Sequence, residues 1–316
     1  MAHRSILLAA AILPMSILAA CSSDSASAVV ATGPHHHFVV NKAFIPKNST
    51  EAHMFGLDLN GDKAVDNQLG MVLGTLGSQG FDIQTSIDTA VNQGSIILLA
   101  DMQTSDYMTS SGAGLKVLLG SNPVPAACTD ASDKVCGHHL TGTGMFDAAA
   151  TDAEVTGKIV NGTFNGGPGD LNLKLSIAGA NVDLSLIGAR AQVTGMSDAG
   201  IMSGIVAGAV TQDDLNTKVL PAIQSSLAPL IARDCTKLDM PTANPACGCA
   251  DGSTGKTVIS LFDTTPKDCM VTTAEIMNNG LIMSLLQPDV TINGVMALSI
   301  GIKVTAVAGK YTVAGE

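Results

Sequence analysis

Apolar and polar residues alternate along the middle of the chain, most clearly between residues 171 and 210. A period of two is typical of a β-strand that has one buried face. Turn-forming residues at 179–181 and 197–200 separate the alternating runs. The pattern predicts an antiparallel meander with one packed face and one solvated face. Its alternating apolar positions are Leu171, Leu173, Leu175, Ile177, Val182, Leu184, Leu186, Ala189, Ala191 and Val193.

Two helices are predicted ahead of the meander, at residues 67–76 and 82–91, where apolar residues follow a helical period. They end at Gly77 and Gly94. Short apolar runs at 95–99 and 115–119 predict buried strands.

A longer helix is predicted after the meander. Thr211, with Asp214 three residues later, forms an acidic variant of a capping box. Pro221 and Pro229 predict that this helix bends or breaks. Its apolar stripe, which we expect to pack on the sheet, comprises Leu215, Val219, Ile223, Leu227 and Ile231.

The C-terminal part adds an amphipathic helix at 272–286 and a closing strand or hairpin at 295–307. Together the elements predict a single α+β domain over residues 38–316, an antiparallel sheet packed against helices. An acidic-loop and helical unit spans 38–110, the antiparallel sheet 111–210, and helices, a Cys-rich loop and closing strands 211–316.

Composition and charge exclude some classes of function. Hydrophobic residues make up 46% and charged residues 14% of the chain, so an intrinsically disordered polymer is excluded. The net charge of −11 repels phosphate backbones, and we predict no nucleic-acid partner. Aromatic residues are only 3%, which argues against a sugar-binding aromatic platform.

The N-terminus predicts export. A basic start is followed by an apolar run too short to span a bilayer. The run ends in Leu18-Ala19-Ala20-Cys21, which resembles the lipobox of bacterial lipoproteins. The resemblance implies that residues 1–20 form a signal peptide and that Cys21 is lipidated. An ordinary signal peptide is the alternative.

A lipid anchor at Cys21 predicts attachment to a membrane. Ser22 follows the cysteine, and among proteobacterial lipoproteins this favours the outer membrane. A Ser/Ala-rich stretch then predicts a flexible tether over residues 21–37.

An acidic loop at residues 58–67 carries the most specific chemistry of the chain. Oxygen-bearing side chains stand at positions 1, 3, 5 and 9, the spacing at which a loop surrounds a Ca²⁺ ion. The loop resembles those of EF-hand and dockerin-type modules, which implies a carbonyl ligand at position 7 and an apolar residue, here Val65, at position 8. The predicted ligands are Asp58, Asn60, Asp62, Ala64 and Asp66.

Two departures weaken this prediction. Position 6, usually Gly, is Lys63, and position 12, usually a bidentate acid, is Leu69. We therefore expect a weak site, with a dissociation constant on the order of 10⁻⁴–10⁻³ M. The alternative is an Asx-rich turn that caps the helix beginning near Asp66.

Other metal sites are less specific. The segment 262–276, with Asp263, Asp268 and Glu275, looks like a decayed calcium loop. The histidines at 35–37 and at 138–139 could bind a transition metal weakly, or be ordinary polar residues. His53 lies five residues before Asp58 and could hydrogen-bond near the acidic loop.

Six cysteines remain after Cys21, and an even number in an exported protein predicts three disulfides. Cys128 and Cys136 bracket one short loop and are the expected pair. The pairing among the other four stays open, and a zinc site is the alternative for them. They are Cys235, Cys247, Cys249 and Cys269.

Four stretches are similar to uncharacterised lipoproteins of myxobacteria: LDLNGDKAVDNQLG, GAVTQDDLNTKVLPAI, EIMNNGLIMSLLQPDV and ALSIGIKVTAV. The resemblance covers most of the mature chain and implies a location, not an activity. No Gly-x-Ser-x-Gly nucleophile elbow is present, and we predict a structural or binding module, not an enzyme. The alternative is an exported hydrolase that uses paired carboxylates such as Asp147 and Asp152.

Overall fold

The computed structural model describes residues 29–78, 83–177, 180–238, 247–264 and 266–312. The predicted signal peptide, Cys21 and the first part of the tether lie outside the described residues. So does the start of the predicted turn at 179–181.

Long antiparallel strands dominate the fold. They are β1 (His35–Phe44), β2 (Leu98–Gln103), β3 (Ser110–Val124), β4 (Met145–Ala148), β5 (Val155–Val160), β6 (Thr163–Ile177), β7 (Ala180–Ser197), β8 (Gly200–Thr211), β9 (Cys235–Lys237), β10 (Cys247–Cys249), β11 (Val290–Ile292) and β12 (Val295–Ala308).

Eight of these strands form a closed ring in the order β1-β2-β3-β5-β6-β7-β8-β12. The ring closes because β12 pairs with β8 on one side and with β1 on the other. Val39 stands opposite Val307 across this closing seam. β4 extends the sheet from β3, β11 extends it from β12, and β9 and β10 form a separate hairpin. Closure removes the open edges that a flat meander would expose.

The main apolar core fills the ring. Inward side chains such as Phe164, Leu184 and Ile302 are at most 3% exposed and belong to one cluster with the helices. A small apolar cavity of about 30 Å³ remains among them. Two smaller clusters lie on the outer face, one around Leu99 and Phe146 and one around Leu59, Ala209 and Ile292.

The helices are short and pack around the ring. They are α1 (Ser49–Met54), α2 (Gln68–Ser78), α3 (Ile83–Asn92), α4 (Gln212–Asp214), α5 (Leu220–Asp234), α6 (Thr254–Phe262), α7 (Thr273–Asn278) and α8 (Gly280–Leu285), with a 3₁₀ turn at His138–Leu140. Helix α3 contacts both β1 and β6, which stand on opposite sides of the ring, so it lies across one opening. Among the described residues, no helix has the length and apolar composition needed to cross a membrane.

The coarse α+β prediction is confirmed, with the sheet as the larger part. The predicted helix after Thr211 forms: Thr211 Oγ1 accepts a hydrogen bond from the Asp214 N–H at 3.2 Å. A π-helical turn, Leu215–Val219, joins α4 to α5 just before Pro221. All five residues of the predicted stripe are buried.

The strands predicted at 95–99 and 115–119 are β2 and β3, at Leu98–Gln103 and Ser110–Val124. Two further differences have a clear physical cause. β1 begins at His35, within the segment predicted as a tether, because the three histidines pair with β2. The helix predicted over 272–286 is divided into α7 and α8 at Asn279. The Asn279 side chain accepts a hydrogen bond from the Ile282 N–H at 3.2 Å and so caps the second helix.

Candidate calcium-binding loop

The acidic loop connects α1 to α2 on the outer face of the ring. Its neck is a single antiparallel bridge between Leu57 and Asp66, in which the Asp66 N–H donates to the Leu57 carbonyl at 3.1 Å. Leu59, at position 2, is 3% exposed and packs in the outer cluster with Ala209 and Ile292. Leu59 thus holds the start of the loop against the sheet.

Asp58 organises the turn of the loop. Its carboxylate accepts hydrogen bonds from the Gly61 N–H at 2.6 Å and the Lys63 N–H at 2.9 Å. Burial acts to raise the pKa of Asp58, but these donors and the Arg190 guanidinium outweigh it, so the pKa lies below its ordinary value. Asp58 is therefore ionised at neutral pH.

Lys63 has φ of 71°, in the left-handed region that calcium loops usually reserve for Gly at position 6. The departure at this position is thus one of residue type only, because the backbone turns in the left-handed sense there. Gly61, with φ of 86°, takes a second left-handed position in the same turn.

Asn60 and Asp62 are exposed and each closes an Asx turn. Asn60 Oδ1 accepts from the Asp62 N–H at 3.0 Å, and Asp62 Oδ1 accepts from the Ala64 N–H at 2.7 Å. Ala64 is exposed as well.

Asp66 is the buried acid of the loop, at 8% exposure. Its Oδ2 accepts from the Leu59 N–H at 2.7 Å. Burial raises the pKa of Asp66, and the neighbouring charges of Asp289, Asp62 and Asp58 add to the rise. Asp66 therefore lies in the field of three other carboxylates.

Position 12 cannot supply a ligand. Leu69 is 2% exposed and belongs to the main core, so its side chain faces away from the loop. Asn67, at position 10, caps α2 by accepting from the Gly70 N–H at 3.1 Å. It also accepts from the Gly301 N–H of β12 at 2.7 Å. The exit of the loop therefore has the helix cap that the alternative interpretation predicts.

The carboxylates of the loop are not tightly gathered. Within the described ranges, the loop acids form no group of three whose ligand atoms all lie within 4.8 Å of one another. The three residues that do form such a group are Cys235, Cys247 and Cys249. Their sulfurs are bonded in disulfides, Cys235 with Cys249 and Cys247 with Cys269. The predicted pair Cys128–Cys136 is confirmed.

The second acidic segment uses its carboxylates for local structure. Asp263, 5% exposed, accepts from the N–H groups of Asp268 at 3.1 Å and Cys269 at 2.9 Å. Burial raises the pKa of Asp263. Glu275 forms a capping box with Thr272 at the start of α7. These contacts resemble those of Asp58, with left-handed Cys269 in the place of Lys63.

The three histidines at the start of β1 each have a different partner. His35 Nδ1 lies 2.9 Å from Asp101 Oδ2, the His36 ring lies 4.7 Å from the Tyr107 ring, and His37 stacks on Tyr311. Alternation along β1 sends His36 to the face opposite His35 and His37.

The remaining candidate residues lie away from the acidic loop. His138 Nε2 lies 2.9 Å from Asp133 Oδ2, while His139 is buried. His53 is exposed in the last turn of α1. Asp147, on β4, accepts from the Asn122 amide at 2.7 Å, and both Asp147 and Asp152 are exposed.

Two residues of the region were not predicted from the sequence. Asp289 precedes β11, and only the fold brings its charge near Asp66, so local spacing gives no sign of it. Arg190 lies just after the point where the alternation of buried residues along β7 changes phase. The buried residues have even numbers up to Leu186 and odd numbers from Ala189 onward. That change could have indicated a bulge beside Arg190.

Comparison with known proteins found no matching family model, no matching curated protein and no matching solved structure. The likeness to myxobacterial lipoproteins stays a prediction.

Proposed function

We propose that the protein is an exported, lipid-anchored structural or binding module whose acidic loop binds Ca²⁺. The observation that carries the proposal is the geometry of the loop: Asp58, Asn60, Asp62 and Asp66 each accept a backbone N–H within one turn whose position 6 is left-handed. The charges of Asp58 and Asp62 also add to the raised pKa of Asp66. A hard cation with oxygen ligands offsets such repulsion.

The ligands proposed are the side chains of Asp58, Asn60, Asp62 and Asp66 and the carbonyl of Ala64. Each of the four side chains already accepts a backbone N–H, which orients it, and an oxygen has a second lone pair for an ion. Because Leu69 supplies no bidentate carboxylate, the affinity suits the millimolar Ca²⁺ outside cells.

The role of the ion would be to rigidify the segment between α1 and α2. Leu59 and Asn67 hold the two ends of the loop against the sheet, and the ion would hold its exposed middle. A ligand that binds the native state and not the unfolded chain stabilises the protein. Ca²⁺ would therefore also stabilise the fold.

Ca²⁺ titration by isothermal calorimetry tests the proposal. We expect one site, lost in Asp58→Asn and retained in Asp152→Asn, which removes the same charge at an exposed position elsewhere. We also expect affinity to fall as the pH is lowered toward the raised pKa of Asp66, because protonation removes a ligand. Equal binding by both variants would contradict the assignment of the loop.

The lipid anchor is tested separately. Mass spectrometry of the membrane-associated protein should find acyl chains on Cys21, and Cys21→Ser should release the chain into the soluble fraction. A Cys21→Ser variant that stays with the membrane to the same extent would exclude this anchor.

A further inference from the structure

A polar cleft of about 420 Å³ lies beside the acidic loop, between the middle of β6 and β7 and the turn that joins β11 to β12. Polar residues that line it are Asn60, Asp170, Arg190, Thr291 and Asn293. It is much larger than the cavity inside the ring and opens to solvent, so a small molecule can enter it.

Two bulges form the cleft. The pairing of β6 with β7 shifts between Gly166 and Leu171, and that of β7 with β8 shifts between Ile187 and Arg190. The second shift inverts which side chains of β7 face the core: Leu186 is buried before it and Ala189 after it. Without the bulge, the phase of Leu186 would direct position 190 into the apolar interior. The bulge therefore brings Arg190 to the outer face, where it lines the cleft.

The backbone at Gly167 packs tightly against the backbone at Arg190, with no room for a side chain. Gly167 has φ of 104°, and a Cβ atom built there would lie 2.9 Å from the Arg190 Cα and 2.4 Å from the Ala189 carbonyl oxygen. Gly188, on the other side, has φ of 60° and leaves room for Ile292. A side chain at either glycine would be strained and would displace the walls of the cleft.

Arg190 is half-buried, and its Nε is fully buried with no hydrogen-bond partner in the part of the chain that the structure describes. By contrast, Arg233 makes two bonds to Asp234, Nε to Oδ1 at 2.6 Å and Nη2 to Oδ2 at 2.9 Å. A guanidinium presents a planar fork of donors that matches a carboxylate or phosphate group. A buried donor without a partner costs free energy. A rotation of the Arg190 side chain that brings Nε to the cleft surface would let an oxyanion recover this cost.

The charge around the cleft selects among oxyanions. Asp170 lines the cleft, and Arg190 is near enough to Asp58 to lower its pKa. A doubly charged phosphate would be repelled by these carboxylates more strongly than a singly charged carboxylate. The side-chain amides of Asn60 and Asn293 and the Thr291 hydroxyl add neutral donors and acceptors for the rest of a polar ligand.

We propose that this cleft is a binding site for a small polar ligand and that Arg190 binds its carboxylate group. The site is separate from the calcium ligands, except that Asn60 lines the cleft as well. Arg190 supplies the positive charge of the cleft, so a carboxylate can bind there without a bound cation.

Nitrogen-15 NMR of the arginine side chains tests the proposal directly. The chain contains three arginines, and Arg4 lies in the predicted signal peptide. The ¹⁵N-arginine-labelled mature protein therefore has two Nε–H signals, from Arg190 and Arg233. Arg190 is assigned by the signal that Arg190→Lys removes, and Arg233 is an internal control. Sodium acetate, sodium phosphate and sodium chloride are titrated at matched ionic strength, with chelator present so that the acidic loop is free of metal.

We expect acetate to shift the Arg190 signal saturably while the Arg233 signal stays in place and chloride has no effect. Asp170→Asn should tighten acetate binding several-fold, since it removes the nearby negative charge. Movement of both arginine signals in parallel, or no movement of the Arg190 signal, would overturn the site. A phosphate titration that saturates at lower concentration than acetate would overturn the assignment to a carboxylate.

Discussion

The imidazole of His139 lies in an apolar setting, 6.1 Å from the Phe146 ring between centroids, and the residue is fully buried. Among the described residues, neither ring nitrogen has a hydrogen-bond partner. Burial lowers the pKa of His139, and the neighbouring His138 adds to the effect. The folded protein therefore holds His139 neutral at pH values where the unfolded chain takes up a proton.

We predict that this residue makes the protein less stable in mild acid. Because the pKa of His139 is lower in the folded state, its contribution is fully present above the ordinary value of 6.5 and is lost as the pH falls below it. The loss has a slope of up to about 1.4 kcal/mol per pH unit. Urea unfolding between neutral pH and mild acid should show this slope in the native protein and a shallower one in His139→Phe. His53→Gln, at an exposed histidine, is the control, and identical slopes in native protein and His139→Phe would contradict the account.

Asn67 joins the acidic loop to the closing strand. Besides its bonds to the Gly70 and Gly301 N–H groups, its amide donates to the carbonyls of Ala52 and Gly301, each at 3.0 Å. We predict that Asn67→Leu lowers the free energy of unfolding by about 3 kcal/mol, because it leaves several buried backbone groups unpaired. Chemical denaturation measures this, with the exposed Asn60→Ala expected to change stability by less than about 0.5 kcal/mol without Ca²⁺. A loss no larger than that of Asn60→Ala would show that water or relaxation replaces these bonds.

At this scale the sequence could predict residues whose partners are close along the chain. The loop acids follow a local spacing, and Asp58 does bond within five positions. Asn67, by contrast, finds Gly301 at a separation of 234 residues, and no local pattern encodes such a contact.

The elements predicted best are those whose periodicity is uninterrupted. The stripe along the π-helical turn and α5 follows the apolar spacing, since packing on one face requires it. Helices α2 and α3 follow it as well. The meander was predicted without its bulges, because a bulge changes only the phase of an otherwise regular alternation. The division between α7 and α8 depends on one side-chain cap at Asn279, which overrides a continuous amphipathic pattern.

The Cys-rich region depends on a disulfide between separate elements. Cys247 of β10 and Cys269, both buried, close a segment that contains α6, with a sequence separation of 22. We predict that replacing both with Ala lowers the free energy of unfolding by about 3 kcal/mol, from the added entropy of the unfolded chain. The matched pair Cys128 and Cys136, at a separation of 8 and only partly buried, should cost about 1 kcal/mol less. Guanidinium unfolding of the two double variants compares them, and the reverse order would contradict this account.

The whole molecule is defined by the pairing of β1 with β12, strands from opposite ends of the described chain. Neither strand has a local sequence pattern that identifies the other as its partner. The three polar histidines at the start of β1 led to the prediction of a tether there. Closure was therefore not predictable from the sequence, although each strand of the meander was. It follows from long-range pairing, which periodicity does not report.

Hydrogen exchange tests the closed ring. β12 is bonded to β8 and β1, so we predict that its amides facing β1 are protected as strongly as those facing β8. β11, which pairs with β12 alone, should exchange faster and serves as the edge-strand control. Rapid exchange confined to the β12 amides that face β1 would mean that the seam is open in solution.

Thermal unfolding with and without Ca²⁺ tests the calcium loop most directly. At tenfold the dissociation constant, Ca²⁺ should stabilise the protein by about 1.4 kcal/mol and raise the Tm by about 2–4 °C relative to chelator. Asp58→Asn should lose this rise and Asp152→Asn should keep it. If the native protein melts at the same temperature with saturating Ca²⁺ and with chelator, the segment from Asp58 to Asp66 is a capped turn and not an ion site.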